Sequence, residues 1–285
     1  MADTPEYDAA QNSFHEAFRP ELFRILDALP LPHGGGVLDV PCGNGFYAQR
    51  LAERGACGRL VAVDACDEYL RQAGERLGGA GTVRKVDAYH LPFGDGEFDL
   101  VWSAQSLITL DPGPAVREMF RVVKPGGAVA ILEGDVFHDV LLAWPVELET
   151  ALPKAIRDES VRQYGDAVKL APARRLRRIL RQSGFHPIRR ATHTFDRAAP
   201  FDPLAASFLR HHFDQLRAVA YPRLSSENRA TFDRLTDPDG ADSFLRRADA
   251  EFACLNAVYV ARRPAQGGGG ESDSRASSRS TSTAS

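Results

Sequence analysis

The chain has 285 residues, 44% apolar, 26% charged and 9% aromatic, an ordinary globular composition that excludes fibrous, collagen-like and wholly disordered classes. Thirty-five basic against 38 acidic side chains leave a formal charge of −3, so no basic excess points to nucleic acid as a partner. The four cysteines (Cys42, Cys57, Cys66 and Cys254) have neither Cys-x-x-Cys nor zinc-finger spacing, and they read as free thiols in a reducing compartment.

The opening residues, Met1 to Glu6, are acidic and polar, unlike a signal peptide, and no run of about 18 apolar residues could span a bilayer. The expectation is a cytoplasmic protein without a membrane span, acting as a monomer or homodimer. Residues 1–35 are expected to form an N-terminal helical segment. Val37 to Val40 is the first strand, followed by a glycine-containing turn and a helix near Tyr47 to Arg54 with Ala48 and Leu51 on one face. Leu60 to Asp64 reads as a second strand, Glu68 to Leu77 as a helix, and Val83 to Val86 as a third strand. Phe98 to Ser103 is the fourth, and the next helix carries Val116, Met119, Phe120 and Val123. Lys124-Pro125-Gly126-Gly127 stops that helix before a fifth strand at Ala128 to Leu132. Strands separated by helices of this length form parallel sheets through right-handed crossovers, so the fold class is α/β, doubly wound and Rossmann-like.

Farther on, Arg174 to Gln182 is helical, with Leu176, Ile179 and Leu180 inward and five arginines outward. A short strand follows near Pro187 to Thr192. Residues 201–244 read as a helical insertion, and Phe252 to Ala261 as a closing strand placed beside the one near Ile188. This gives one domain over 36–263, with a sheet of seven strands and an antiparallel last strand. From 264 to 285 the composition is Gly, Ser, Thr and Arg, which cannot bury enough surface to offset its ordering entropy, so a disordered tail is expected.

The informative segment is Asp39-Val40-Pro41-Cys42-Gly43-Asn44-Gly45, where a strand turns through two glycines into a helix. Glycine permits positive φ and close backbone approach, and ligands bind beyond the carboxyl ends of parallel strands. A tight strand-to-helix turn with no ligand is the plain structural alternative. Asp64 ends the second strand, where a carboxylate can take ribose hydroxyls. Gly43, Gly45, Ala48 and Asp64 also satisfy a dinucleotide fingerprint, so an NAD(P)-dependent oxidoreductase stays open on these features alone. Asp39 inside its strand and Asp87 at the tip of the third shift the balance, because three acidic strand ends suit a nucleoside with a cationic end better than a diphosphate.

Residues 36–135 resemble the class I S-adenosylmethionine-dependent methyltransferases, above all the ubiquinone/menaquinone biosynthesis branch with its type 11 methyltransferase domain. The matching pieces are LDVPCGNG (38–45), VAVDAC (61–66), VDAYHLPFGDGEFDLVWS (86–103) and EMFRVVKPGGAVAILEGD (118–135). The resemblance implies S-adenosyl-L-methionine as cofactor and transfer of its methyl group to a small-molecule acceptor. It implies that Asp39, Gly43, Asn44 and Gly45 hold the methionine portion, and that Asp64 takes the ribose with Ala65 or Cys66 beside the adenine. Asp87 and the Ala88 N–H would read the adenine edge, and Ser103 or Ala104 would lie near the sulfonium. The chain departs from the family's first loop glycine, which is Pro41 here and has no N–H to donate. A non-catalytic subunit that binds the same cofactor is a further alternative.

No catalytic residue stands out. His138, beyond the fifth strand, is a weak acid/base candidate, with His90, Glu133 and Asp135 also near the expected edge; a loop histidine is more often simply solvated. Gln105 and Tyr47 are candidate lining residues, whereas Trp102 reads as core. Substrate choice is expected to reside in the N-terminal segment around Phe14, His15, Phe18 and Arg19, in 137–164 and in the insertion. The arginine run reads as the solvated face of a packed helix, and the His211-His212 pair lacks metal-site spacing, so no metal is expected.

Overall fold

The computed structural model describes residues 4–265 apart from Pro32, Ala56 and 135–139. The tail expected over 264–285 lies, beyond Ala265, outside the described residues, as do His138 and Asp135. Two helices, α1 (Thr4–Ala17) and α2 (Arg19–Asp27), precede β1 (Gly35–Asp39). Then follow α3 (Phe46–Glu53), β2 (Cys57–Asp64), α4 (Asp67–Leu77), β3 (Thr82–Lys85), β4 (Phe98–Ala104), α5 (Pro112–Val122) and β5 (Val123–Gly134). The second half contains β6 (Val140–Leu142), α6 (Val146–Tyr164), α7 (Ala173–Gln182), β7 (Ile188–Ala198), α8 (Pro203–Val219), α9 (Ser226–Thr236) and β8 (Glu251–Arg262).

All strands join one sheet in the order β3-β2-β1-β4-β5-β8-β6, with β7 paired to β8. The expected seven strands become eight segments in seven lanes. β7 holds one edge of β8 along its whole length, so β5 at 256–262 and β6 at 252–254 must share the other edge. The first five strands run parallel, and β8 is antiparallel to both neighbours. β7 extends to Ala198, well past the expected end near Thr192, because β8 offers it backbone partners along that entire stretch.

Side chains alternate across the sheet with the two-residue strand period. Val37, Leu60, Ala62, Leu100, Trp102 and Ala130 face one core, which α1, α2, α3, α4, α6, α8 and α9 cover. Leu38, Val61, Val63, Val101, Val129 and Ile131 face the other, under α5 and α7. Central strands buried on both faces read as near-continuous apolar runs, the reason β1, β2, β4 and β5 are conspicuous in the sequence. β3 and β7 occupy the sheet's edges and are mostly exposed, with charged side chains that discourage pairing with another chain.

Helix starts follow local chemistry. Asp111 and Asp202 accept from the backbone N–H groups of Gly113 and Ala205, each with proline at the first helical position, and Ser225 accepts from that of Asn228. The N-terminal helices are fastened to the far edge of the sheet. Arg197 on β7 donates to the Ala17 carbonyl at 2.6 Å and pairs with Glu21 at 3.0 Å, its guanidinium lying 5.0 Å from the Phe18 ring. Phe18 in turn packs on Phe14, Phe195, Phe208 and Phe252. Nothing in the chain order announces this arrangement, which brings α1 over the carboxyl edge of β1.

Candidate functional site

The period-2 alternation that sorts the core also sorts the strand tips. Asp39 and Asp64 end β1 and β2 on the α1 side of the sheet, and Ala104 ends β4 there too. Between them runs the loop 40–45. Gly43 has φ +51°, with nothing within 4 Å of where a Cβ would stand, so its backbone faces open space. Gly45 has φ +81°, and a Cβ there would meet the Ala73 Cα at 2.7 Å; this glycine lets α3 begin directly against α4.

Asp64 organises the loop. Its Oδ2 accepts from the Gly43 N–H and its Oδ1 from the Cys66 N–H, each at 3.0 Å. Burial raises its pKa, and these backbone donors partly offset the shift. Asp39 is different. It is 1% exposed, and neither carboxylate oxygen has a hydrogen-bond partner. Burial, and then the Asp64 charge, push its pKa well above the usual carboxylate range. A buried carboxylate without a partner is expensive, and the group that would relieve it is a cation.

Asn44 accepts from the Phe46 N–H at 3.2 Å and donates its amide to Asn12 Oδ1 at 2.6 Å, tying the loop to α1. A cavity of about 20 Å³, room for roughly one water, lies between them, lined by Asn12 and His15 of α1, the loop from Pro41 to Asn44, Tyr47, Tyr69 and Ala104. A larger groove of about 380 Å³, lined by Asp196, Ala198, Glu251 and Ala253, sits on β7 and β8, three lanes from β1. None of the loop or strand-tip residues reaches it, so the site belongs at the orphaned carboxylate, not at this larger groove.

The structure brings Asp39, Gly43, Asn44, Gly45 and Asp64 together. Asp87 lies on the solvent side, accepting from the Tyr89 N–H at 2.9 Å with His90 Nδ1 at 3.1 Å, and the neighbouring Ala88 is buried. Ala65 is exposed at the tip of β2. The Ser103 hydroxyl is fully buried and pairs with Ser106 at 3.1 Å, leaving Ala104 as the β4 residue that faces the cavity. Glu133 is buried and accepts from the Ser106 and Leu107 N–H groups, so it shapes the turn after β4. Tyr47 donates to Gln105 Oε1 at 3.1 Å, and Gln105 holds φ +51°, unique among the described non-glycine residues.

Asn12 and Tyr69 carry no sequence signal that marks them, and His15 figures there only as part of a specificity segment. No cluster of three His, Cys, Asp or Glu among the described residues could hold a metal, and no described helix is long and apolar enough to cross a membrane.

The orphaned Asp39 carboxylate and the open backbone at Gly43 fit S-adenosylmethionine, whose amino-acid end carries an ammonium group. Residues 38–131 match the family model described as a methyltransferase domain. The chain is 33% identical over 193 residues to the ubiquinone/menaquinone biosynthesis C-methyltransferase UbiE of Cupriavidus pinatubonensis, spanning 64% of this chain and 78% of that protein. It is also 33% identical over 141 residues to the malonyl-[acyl-carrier protein] O-methyltransferase of Erwinia billingiae, 48% of this chain and only 55% of that one. Among solved structures, the YcgJ protein from Bacillus subtilis superposes with a TM-score of 0.56 at 16% identity, covering 87% of this chain and 100% of that one, a likeness of fold.

Proposed function

Because the chain belongs to the class I S-adenosylmethionine-dependent methyltransferases, we propose that it transfers the cofactor's methyl group to a small-molecule acceptor at the carboxyl edge of the sheet. Asp39 takes the ammonium of the methionine portion, with Gly43, Asn44 and Gly45 shaping the wall around it. Asp64 takes the ribose hydroxyls, Ala65 flanks the adenine, and Asp87 with the Ala88 N–H reads its edge. Ser103 and Ala104 mark the end of β4 nearest the sulfonium.

The observation that carries this reading is the Asp39 carboxylate, buried with both oxygens unpartnered. The same loop argues against a dinucleotide. The Cys42 N–H donates to the Val63 carbonyl, that of Gly43 to Asp64 and that of Gly45 to the Cys42 carbonyl. Pro41 has no N–H to offer. The backbone donors that would cradle a pyrophosphate are thus already engaged, and two carboxylates stand beside them.

S-adenosylmethionine, when bound, supplies a methyl group already activated by its sulfonium. The chain's part is placement: strand-tip carboxylates hold the cofactor, and α1 closes over the loop to keep water out. Such positioning contributes about 7–11 kcal/mol in well-oriented reactions. Isothermal titration with S-adenosylhomocysteine and with NADH tests the reading. Binding of the first and not the second is expected; tight NADH binding with no response to S-adenosylhomocysteine overturns it. Formation of S-adenosylhomocysteine on incubation with metabolite extracts then separates an enzyme from a binding subunit.

A further inference from the structure

His15 sits on α1, only 3% exposed, its ring stacked on Phe46 at 4.1 Å with 9° between planes and edge-on to Tyr47 at 5.1 Å. The ring lines the cavity, and neither nitrogen has a hydrogen-bond partner. The Gln105 side chain is near enough to favour a proton on the ring, but burial prevails and lowers the pKa to about 3, so the imidazole is neutral. A neutral imidazole has one N–H donor and one lone pair to satisfy. A phenylalanine would make the same stack without burying two unmet polar atoms, so packing does not account for a histidine here.

The ligand proposed above supplies what is missing. Its amino-acid end is a zwitterion, and its ammonium faces Asp39. Its carboxylate needs donors, and no lysine or arginine lines the cavity. The donors lining it are neutral: the Gln11 and Asn44 amides, the Tyr69 hydroxyl, the His15 ring and, after release of the Asn12–Asn44 bond, the Asn12 amide, while the Tyr47 hydroxyl is engaged by Gln105; of these the His15 ring is the one buried with neither nitrogen bonded.

We propose that His15, supported by Asn12, completes the cofactor pocket from α1 by donating its ring N–H to the carboxylate of the cofactor's amino-acid end, opposite the ammonium held at Asp39. This rests on the cofactor reading above. The cofactor's amino-acid end does not fit a cavity of about 20 Å³, so the part of α1 that carries Asn12 and His15 gives way on binding, while Arg197 retains the helix's C-terminal end at the Ala17 carbonyl.

The test compares two ligands on the full chain. S-adenosylhomocysteine carries the amino-acid end; 5′-methylthioadenosine keeps the adenosine and the thioether but lacks it. His15→Phe preserves the ring stack and removes both nitrogens. By calorimetric titration it is expected to bind S-adenosylhomocysteine at least tenfold more weakly than wild type, to bind 5′-methylthioadenosine within twofold of wild type, and to melt at the wild-type temperature or above. His15→Asn, which restores a neutral donor, is expected to recover part of the lost affinity. If His15→Phe binds S-adenosylhomocysteine within twofold of wild type, or loses both ligands equally, His15 is a packing residue and the proposal is overturned. If wild type binds neither ligand, the cofactor reading itself fails and this inference falls with it.

Discussion

Replacing Asp39 by asparagine separates what the carboxylate does for the site from what it costs the fold. The side chain is buried with both oxygens unpartnered, and burial, then the Asp64 charge, hold its pKa well above the usual carboxylate range. The native chain therefore keeps a proton on Asp39 at pH values where the unfolded chain has released it. With more protons bound in the native state, stability falls as pH rises from the unfolded pKa near ~3.9 toward the folded one, by up to about 1.4 kcal/mol per pH unit. Above the folded pKa the loss is complete and no longer grows. Asp39→Asn abolishes this proton-linked loss, because the amide is neutral in both states and needs no proton to be buried, so the variant gains on the order of 1–3 kcal/mol at pH 7. For a domain of this size that is several degrees in thermal midpoint, at about 2–4 °C per kcal/mol. The site pays the opposite way: a hydrogen bond to a charged group contributes about 1.5–3 kcal/mol, so affinity for S-adenosylhomocysteine drops roughly 10- to 150-fold. Thermal unfolding followed by circular dichroism at pH 5, 6, 7 and 8, with calorimetric titration at pH 7, reads both effects. Asp64, also raised by burial, interacts with Asp39 through its charge, so the difference between the two pH profiles reports Asp39 together with its coupling to Asp64. A variant less stable than wild type at pH 8, or one that binds the ligand as tightly, refutes the reasoning.

Asp64→Ala removes the acceptor of the Gly43 and Cys66 N–H groups along with the proposed ribose contact. Affinity for S-adenosylhomocysteine is expected to fall roughly 100-fold with the far-ultraviolet spectrum unchanged, the loss of two charge-assisted bonds; unaltered affinity would mean that the ribose lies elsewhere. Gly45→Ala combines a positive φ with a Cβ at 2.7 Å from the Ala73 backbone. Left-handed strain and overpacking together predict a loss of about 2–5 kcal/mol in urea unfolding, and a loss under about 0.5 kcal/mol would show that α3 and α4 can separate at no cost.

How much of this was legible in the sequence depended on whether the contacts were local. β1, β2, β4 and β5 were readable because strands covered on both faces carry continuous apolar runs, and Asp39 and Asp64 stood out as charges at the ends of those runs. α6 went unread: Leu148, Leu152, Ala155 and Ile156 have helical spacing, but Pro153 in their midst reads as a breaker. β6 is three residues long and shares an edge with β5, so it adds a segment without adding a lane. The sequence marked the glycine-containing segment after Val40 as a turn between a strand and a helix, but nothing in it disclosed that Asp64 would fasten that turn through Gly43.

The least legible part of the site is its cover. Strand tips are held by ladders on either side, and a rigid frame of that kind can keep an unmet carboxylate such as Asp39 in place until a cation arrives. α1 is held by side-chain packing on α8 and α3 and, among the described residues, by the Asn12–Asn44 amide pair to the loop, with no backbone ladder of that kind. If α1 gives way to admit the cofactor's amino-acid end, as proposed, its side chains enter and leave water each time, and a charged side chain there would incur the full desolvation cost on every closure. Neutral donors avoid most of that cost. On that proposal, the division between carboxylates on the sheet and an amide and an imidazole on the helix follows from which element is fixed and which has to move.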